Sequence, residues 1–277
     1  MKQNFFAVVV LYNCTVTDSQ TIKNLANVVE HEIEIIVVDN STLDNNNSDL
    51  CKKEGWYYIS MGGNVGLPKA YNTVLDYLIP SFDGIVIWFD DDSNITQEYF
   101  DTLEFEISDN PETDVFVPVI QGQDGKLWSP NRYRFFRNKQ LSDMSDTINN
   151  DEFNAINSCT AVRLKVYSNY RYDERLFLDQ VDHSFFKEMR SRNTIFKKMN
   201  CKISHNFSLK STMDSLDHVK KRYEIMIPDF IVFSSESKKT LYLAYIKVFG
   251  WGVREARRYN NIGFIFWCLK QAARVQK

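Results

Sequence analysis

The spacing of apolar runs between residues 5 and 120 constrains this 277-residue chain most. "FFAVVVLY" (5–12), "EIIVVD" (34–39), "YYIS" (57–60), "GIVIWFD" (84–90) and "DVFVPVI" (114–120) are short and rich in β-branched or aromatic residues. That is the composition of strands buried on both faces. Between them lie segments of helical period. Ile22, Leu25, Ala26 and Val29 recur within "TDSQTIKNLANVVEH", with Asp18 or Ser19 as its cap. "PKAYNTVLDYLI" (68–79) opens on a proline in its first turn, and "TQEYFDTLEFEI" (96–107) follows. Strand and helix alternating at these lengths predict an α/β, Rossmann-like, mostly parallel central sheet flanked by helices. Such sheets bind ligands outside the carboxyl ends of their strands.

Polar residues stand where that rule wants them. Asn13 follows the first strand, Asp39-Asn40-Ser41 the second, "GGN" (62–64) the third, and Asp90-Asp91-Asp92 the fourth. The stretch "IVIWFDDDSN" (85–94) sets three carboxylates directly behind a fully apolar run. A solvated turn with a helix cap accounts for such residues by themselves. Against that stands their place on a rigid strand end, shared with three other polar loops. Side chains two residues apart on an extended chain point the same way. Asp90 and Asp92 therefore make a hard oxygen pair suited to Mg²⁺ or Mn²⁺, which keeps positions for phosphate oxygens.

Beyond residue 120 the pattern changes. "QGQDGKLWSP" carries a Gly-centred hairpin turn. "RYRFFRNKQLSDMSDTINNDEF" (132–153) reads as a polar, aromatic loop. Trp128, Tyr133, Phe135 and Phe136 suit stacking on the rings of a ligand, against the commoner role of aromatics in a core. "RYRFFR" is odd for a core strand because of its three arginines, and reads as a ligand-contacting or lid segment. "NAINSCTAVRL" (154–164) reads as a strand and "DQVDHSFFKEMRSR" (179–192) as a helix. From about residue 206 the pattern is helical to the end, with a break near "FGWG" (249–252), and "DNSTLDNNNSD" (39–49) reads as a loop.

Composition bounds the function. Hydrophobic residues make 44% and charged residues 25%, as in an ordinary globular protein, and a net charge of −3 offers no general attraction to nucleic acid. The charge is uneven: residues 238–277 carry +8, which leaves −11 on the other 237. Five widely spaced cysteines without a CxxC pair argue for a reducing compartment. The N-terminus is short for a signal peptide and has strand character. No apolar run approaches the roughly 18 residues of a membrane span. Within the basic tail, Leu241, Ala244, Tyr245 and Val248 share one helical face, and Ile262, Ile265, Phe266 and Leu269 another. These helices pack on the catalytic domain, or on a second copy as a homo-oligomer, or lie on an anionic membrane surface, which basic amphipathic helices with Trp and Phe favour.

"FDDDS" resembles the DXD motif of family 2 glycosyltransferases of GT-A fold. "VVLYN" (9–13), "VVDNST" (37–42), "GGNVGLPKAYN" (62–72), "INSCTAVRLKVY" (156–167) and "LFLDQVDHSFFKEMR" (176–190) are similar to segments of its rhamnosyltransferase and galactofuranosyltransferase branch. The resemblance covers roughly residues 5–210. It implies a catalytic domain over 1–210, with a nucleotide-sugar half to about 120 and an acceptor half over 121–210. Residues 211–277 then form a basic amphipathic C-terminal helical extension. It implies a nucleotide-diphosphate sugar as donor, with Asp39 accepting the imide N–H of uracil or thymine and Tyr12 and Asn13 flanking the base. Asn64, Gly66 and Lys69 would line ribose and diphosphate, with Asp90 and Asp91 beside them. Asp90 and Asp92, with His205 completing the set, would hold Mn²⁺ or Mg²⁺. Asp182 would be the catalytic base that takes the proton of an acceptor hydroxyl. A helix-capping acid is the plainer account of that residue. Asp179, His183 and Trp128 would contact a glycan or lipid-linked oligosaccharide acceptor. The implied activity is inverting, metal-dependent transfer in bacterial surface polysaccharide synthesis, in the cytoplasm or peripherally on the inner membrane face.

Two other functions compete. A nucleotidyltransferase shares the scaffold but carries a Gly-rich basic loop after its first strand, and "LYNCTVTDSQ" has neither glycine nor base. A catalytically silent nucleotide- or glycan-binding protein has no need of Asp39, Asp90, Asp92 and Asp182 together.

Overall fold

The computed structural model describes residues 3–134, 137–205 and 215–275. The chain divides into two compact units: residues 1–65, 69–172 and 185–207, and residues 66–68, 173–184 and 208–277.

The first unit is built on a ten-stranded mixed sheet. In chain order its elements are β1 (Phe5–Leu11), α1 (Gln20–Leu25), β2 (Ile33–Asp39), α2 (Asn47–Glu54), β3 (Tyr57–Ser60), α3 (Leu67–Leu78), β4 (Ile85–Phe89), α4 (Gln97–Asp109) and β5 (Val115–Gly122). Then come β6 (Leu127–Arg134), β7 (Arg137–Leu141), β8 (Phe153–Asn154), β9 (Thr160–Arg163), α5 (Val181–Ser191) and β10 (Phe196–His205). The strands lie in the order β3-β2-β1-β4-β9-β5-β6-β7, with β10 on β5 and β8 on β6. β1 pairs in parallel with β2 and β4, β2 with β3, and β5 with β10. Only β9 runs against its neighbours between β4 and β5, and β6 to β8 add an antiparallel flank. The carboxyl ends of β1, β2, β3, β4, β5 and β10 therefore share one edge. β1 and β4 are buried almost throughout, as their unbroken apolar sequence requires.

Several expectations change. The helix anticipated over 17–31 is only the six residues of α1. The Asn27 amide donates to the Lys23 carbonyl at 2.8 Å and closes the helix, and Val29 is 85% exposed. The loop assigned to 39–49 gives way to α2 at Asn47. Asn46 enters it at φ 55°, and Gly55 ends it at φ 76° with Lys52 and Lys53 in the last turn, a stop signal of the usual kind. The strand expected over 154–164 is confined to 160–163, because the 155–159 segment turns at Cys159 (φ 61°). The loop expected over 132–153 begins as a paired hairpin, β6–β7; Phe135 and Phe136 lie outside the described residues.

Among its described residues the second unit holds the helices α6 (Leu216–Ser234), α7 (Lys238–Arg258) and α8 (Gly263–Arg274). The break expected at 249–252 is absent: α7 runs through it. Gly252 is buried there, and a Cβ would stand 3.0 Å from the Ile265 Cα, so the glycine serves close packing of α7 on α8. Among the described residues no helix is long and apolar enough to cross a membrane.

Candidate active site

The polar residues behind β1, β2 and β3 form one hydrogen-bonded rim. Asp39 ends β2 and is only 7% exposed. Its Oδ1 accepts the Ser41 N–H at 3.0 Å, and its Oδ2 accepts the Asn47 amide at 3.0 Å and the Tyr58 hydroxyl at 3.1 Å. Burial and then the Asp39 charge push the Tyr58 hydroxyl above its ordinary pKa, so it stays a donor. An ionised carboxylate offers about four lone-pair directions; three are used, and one more donor can be accepted. Asn13, at φ 53°, donates its N–H to the Ser41 hydroxyl oxygen at 2.8 Å, and its Oδ1 accepts the N–H groups of Thr42 and Leu43. Tyr12 beside it is 53% exposed. The Asn40 amide donates to Asn64 Oδ1 at 3.0 Å while its Oδ1 accepts the Val65 N–H at 2.9 Å, which joins β2 to the loop after β3. Lys69 is exposed in the first turn of α3.

The acidic loop after β4 is held by its backbone. The Thr21 hydroxyl donates to the Asp90 carbonyl at 2.5 Å, and the Ser19 hydroxyl to the Asp91 carbonyl at 2.8 Å. The Ser93 N–H returns to Thr21 Oγ1 at 2.8 Å. The start of α1 thus fixes the loop, and Asp90, Asp91 and Asp92 are each half-buried. The trio divides. Asp91 lies beside the Cys14 thiol, which burial and then the Asp91 charge push up to about 11. β4 ends at Phe89, and Asp91 and Asp92 lie in a turn, so the strand alternation expected to set Asp90 and Asp92 on one side does not extend to them. The 157–159 segment closes the rim: the Cys159 N–H meets the Trp88 carbonyl at 2.7 Å, and the hydroxyls of Ser158 and Ser93 are 3.0 Å apart. Asn157 in this segment is 6% exposed, and both polar atoms of its amide lack a partner. A buried amide left this way costs free energy unless a ligand completes it.

Among the described residues no three His, Cys, Asp or Glu side chains form a ready metal cage. A Mg²⁺-type ion carried on a diphosphate needs only one or two carboxylates, and Asp90 and Asp92 fit that donor set. The His205 backbone ends β10 opposite Gly122, at the same edge, and its side chain lies outside the described residues. Trp128 also reaches this edge: its indole donates to Asp124 Oδ1 at 3.0 Å and packs over Gly122.

The second unit contains the segment before α5. Asp229 of α6 is 2% exposed and accepts the N–H groups of Phe177, Leu178 and Asp179 at 2.9, 2.8 and 2.6 Å. Burial nonetheless raises its pKa. Both Asp179 oxygens are taken by the Arg222 guanidinium. Burial works against the Arg222 charge, and the bonds to Asp179 outweigh it and raise its pKa. Gln180 is left-handed at φ 64°, a conformation costly for a non-glycine residue and concentrated at functional sites. Asp182 follows in the first turn of α5, half-buried, with Oδ1 receiving the His183 N–H at 2.7 Å. Gly66 belongs here too. At φ 87° it lies so close to Phe177 that a Cβ would stand 2.7 Å from the Phe177 carbonyl. Its close backbone approach is made to this segment, where a diphosphate had been expected.

Sequence reasoning missed the residues that hold the candidate site residues, Asn47, Tyr58, Ser19, Thr21, Arg222 and Asp229, and the unpaired amide of Asn157. A buried acid such as Asp39 signals that donors exist but not which. For Asp229 the signal is a carboxylate beside Pro228 inside the apolar run 225–233 of α6.

A parallel sheet with fixed carboxylates, a basic side chain and an orphaned amide at its carboxyl edge defines an α/β enzyme scaffold. The sequence profile of glycosyl transferase family 2 matches residues 6–171, and the chain belongs to that family. The dTDP-rhamnosyl transferase RfbF of Shigella flexneri is 28% identical over 186 residues, 66% of this chain and 62% of that protein, so the match spans less than two thirds of the relative. Among solved structures, S. aureus TarS 1-349 shares 14% identity at a TM-score of 0.54, over 99% of this chain and 92% of that one. Glucosyl-3-phosphoglycerate synthase from Mycobacterium tuberculosis, solved with Mn²⁺, UDP and phosphoglyceric acid, shares 12% at a TM-score of 0.53, over 82% and 78%. These likenesses define a GT-A fold with a C-terminal helical region.

Proposed function

We propose that this chain transfers a sugar, with inversion, from a UDP- or dTDP-sugar to a hydroxyl of a glycan or lipid-linked acceptor during bacterial surface polysaccharide synthesis. Rhamnose, galactofuranose or a hexose is the transferred group. The observation that carries this is Asp39: a buried carboxylate, oriented by Asn47 and Tyr58, with one acceptor direction left at the edge that also bears Asp90 and Asp92. A uracil or thymine imide N–H suits that direction; cytosine has no proton there. The name of RfbF and the TarS structure solved with UDP support a pyrimidine nucleotide donor.

Asn64 and Lys69 lie along ribose and diphosphate, with Lys69 adding a cation. Asp90 and Asp92 hold Mn²⁺ or Mg²⁺. When bound, the ion supplies Lewis-acid stabilisation of charge on the leaving diphosphate. Asn157 completes its amide on the donor. Asp182 takes the acceptor hydroxyl proton as the oxygen bonds the anomeric carbon and the bond to the diphosphate breaks, in one in-line displacement. With both Asp179 oxygens bound by Arg222, Asp182 is the better base of the two. His183 and Trp128 contact the acceptor. The catalytic domain occupies residues 1–210 and a helical region residues 211–277.

Peripheral contact with an anionic bilayer is part of this proposal. Tyr242, Leu243, Ile246 and Phe249 form an exposed stripe on α7. Lys238, Lys239 and Arg257 flank it, and the single acid of the helix, Glu255, is buried.

The test of the donor is thermal shift with a panel of nucleotide-sugars, with and without Mn²⁺. A UDP- or dTDP-sugar is expected to stabilise the protein in a Mn²⁺-dependent way. Equal response to purine and pyrimidine donors would remove Asp39 from base recognition.

A further inference from the structure

The hairpin β6–β7 carries a charge pattern that its fold does not require. Arg132 lies directly opposite Lys139, and Arg134 directly opposite Arg137. Opposed residues of an antiparallel ladder share a face, and alternate residues of a strand return to it. All four cations therefore project from one face. The other face bears Tyr133, opposite Asn138, with the Arg190 guanidinium 5.2 Å from its ring centre. Like charges facing each other across a ladder destabilise it, and here two such pairs stand side by side. Together with Glu152 the four cations line a cleft of about 610 Å³. Arg132 is anchored through the Thr147 carbonyl at 2.6 Å, and the Asp146 carboxylate feels its charge. Among the described residues Arg134, Arg137 and Lys139 are exposed and make no ion pair.

We propose that this ribbon is a phosphate-binding site, and that the acceptor is a phosphate-bearing molecule. Each cross-strand pair is one seat, Arg132 with Lys139 and Arg134 with Arg137, the two about 7 Å apart along the strand. Two cations per seat match the charge of a phosphate better than that of a single carboxylate, and the guanidinium fork binds phosphate through two parallel N–H groups. A bound anion offsets the repulsion between the paired cations. Phosphodiesters of a glycan chain and the diphosphate of a lipid-linked glycan share this chemistry. Naming the ligand as acceptor rests on the glycosyl-transfer function proposed above; phosphate binding itself does not.

Calorimetric titration of the full chain at low salt separates the sources. One arm uses a soluble glycerol phosphate oligomer, the other neutral-lipid vesicles containing a polyprenyl diphosphate. Binding of the oligomer assigns the phosphates to a polymer backbone, and binding of the vesicles alone assigns them to a lipid diphosphate. With either probe, Arg134→Gln/Arg137→Gln is expected to weaken binding at least tenfold and to leave Tm unchanged or raised, since repulsion is removed. Lys52→Gln/Lys53→Gln on α2 removes the same charge elsewhere and is expected to change affinity less than twofold. Failure of both probes, or equal losses in the two variants, would overturn the proposal. If the unaltered chain binds phosphate but no nucleotide-sugar, the glycosyl-transfer function falls and the ribbon stands.

Discussion

Asp182 and Asn157 show how differently single residues report function. Asp182 holds one backbone N–H and sits in the first turn of a helix, where any acid is favoured. Its role is decided by rate: Asp182→Asn is expected to leave donor affinity within twofold and to cut transfer about 10²–10⁴-fold, measured as turnover beside calorimetric donor binding. Near-normal turnover would move the base elsewhere. Asn157 is buried with both amide atoms unpaired, so the empty protein gains nothing from its polarity. Asn157→Ala is expected to hold or raise Tm while KM for the donor rises about tenfold, one lost hydrogen bond being worth on the order of 1 kcal/mol or more. A fall in Tm with unchanged KM would make Asn157 a purely structural residue.

At the scale of elements, α1 and α6 do similar work by different chemistry. The start of α1 pins the acidic loop through hydroxyls on backbone carbonyls, which leaves the orientation of the carboxylates to the loop itself. α6 instead offers a carboxylate to three successive N–H groups and an arginine to Asp179. α7 turns its exposed apolar stripe outward among cations, a face suited to the headgroup region of an anionic bilayer. Ile246→Glu/Phe249→Glu is expected to abolish co-sedimentation with anionic liposomes, while neutral liposomes pellet neither form. Equal pelleting of variant and parent on anionic vesicles would exclude this face.

For the whole molecule, carboxylate chemistry sets the pH response. His31 holds Asp101 below the ordinary carboxylate range of about 3.8, the Ser145 N–H does so for Asp143, the Ser142 N–H for Asp146, and Arg175 for Asp173. A depressed folded-state pKa contributes stability above the ordinary value that is lost as pH falls through the folded value. Asp229, raised by burial, has the opposite sign, with its contribution present at low pH and lost as pH rises. Solvent screens Asp101, Asp143 and Asp146 at the surface, so the loss on acidification is small and led by the Asp173–Arg175 pair: Tm is expected to fall modestly between about pH 5 and about pH 3, and a level or rising Tm in thermal melts would refute it. The alternation of apolar runs was enough to place β1 to β5, the parallel edge and the four polar clusters on it, because burial on both faces leaves a strand little choice of residue. It did not show α2, whose polar sequence is held by the Asn47 contacts with Cys14 and Asp39, or the continuity of α7, whose Gly252 serves helix packing. By itself the sequence determined which chemistry gathers at the sheet edge, since side-chain period and the alternation of strand and helix follow from local pattern. Only the tertiary structure decided which carboxylates are engaged, which amide is orphaned and which arginines face one another, because those outcomes depend on partners brought together from distant parts of the chain.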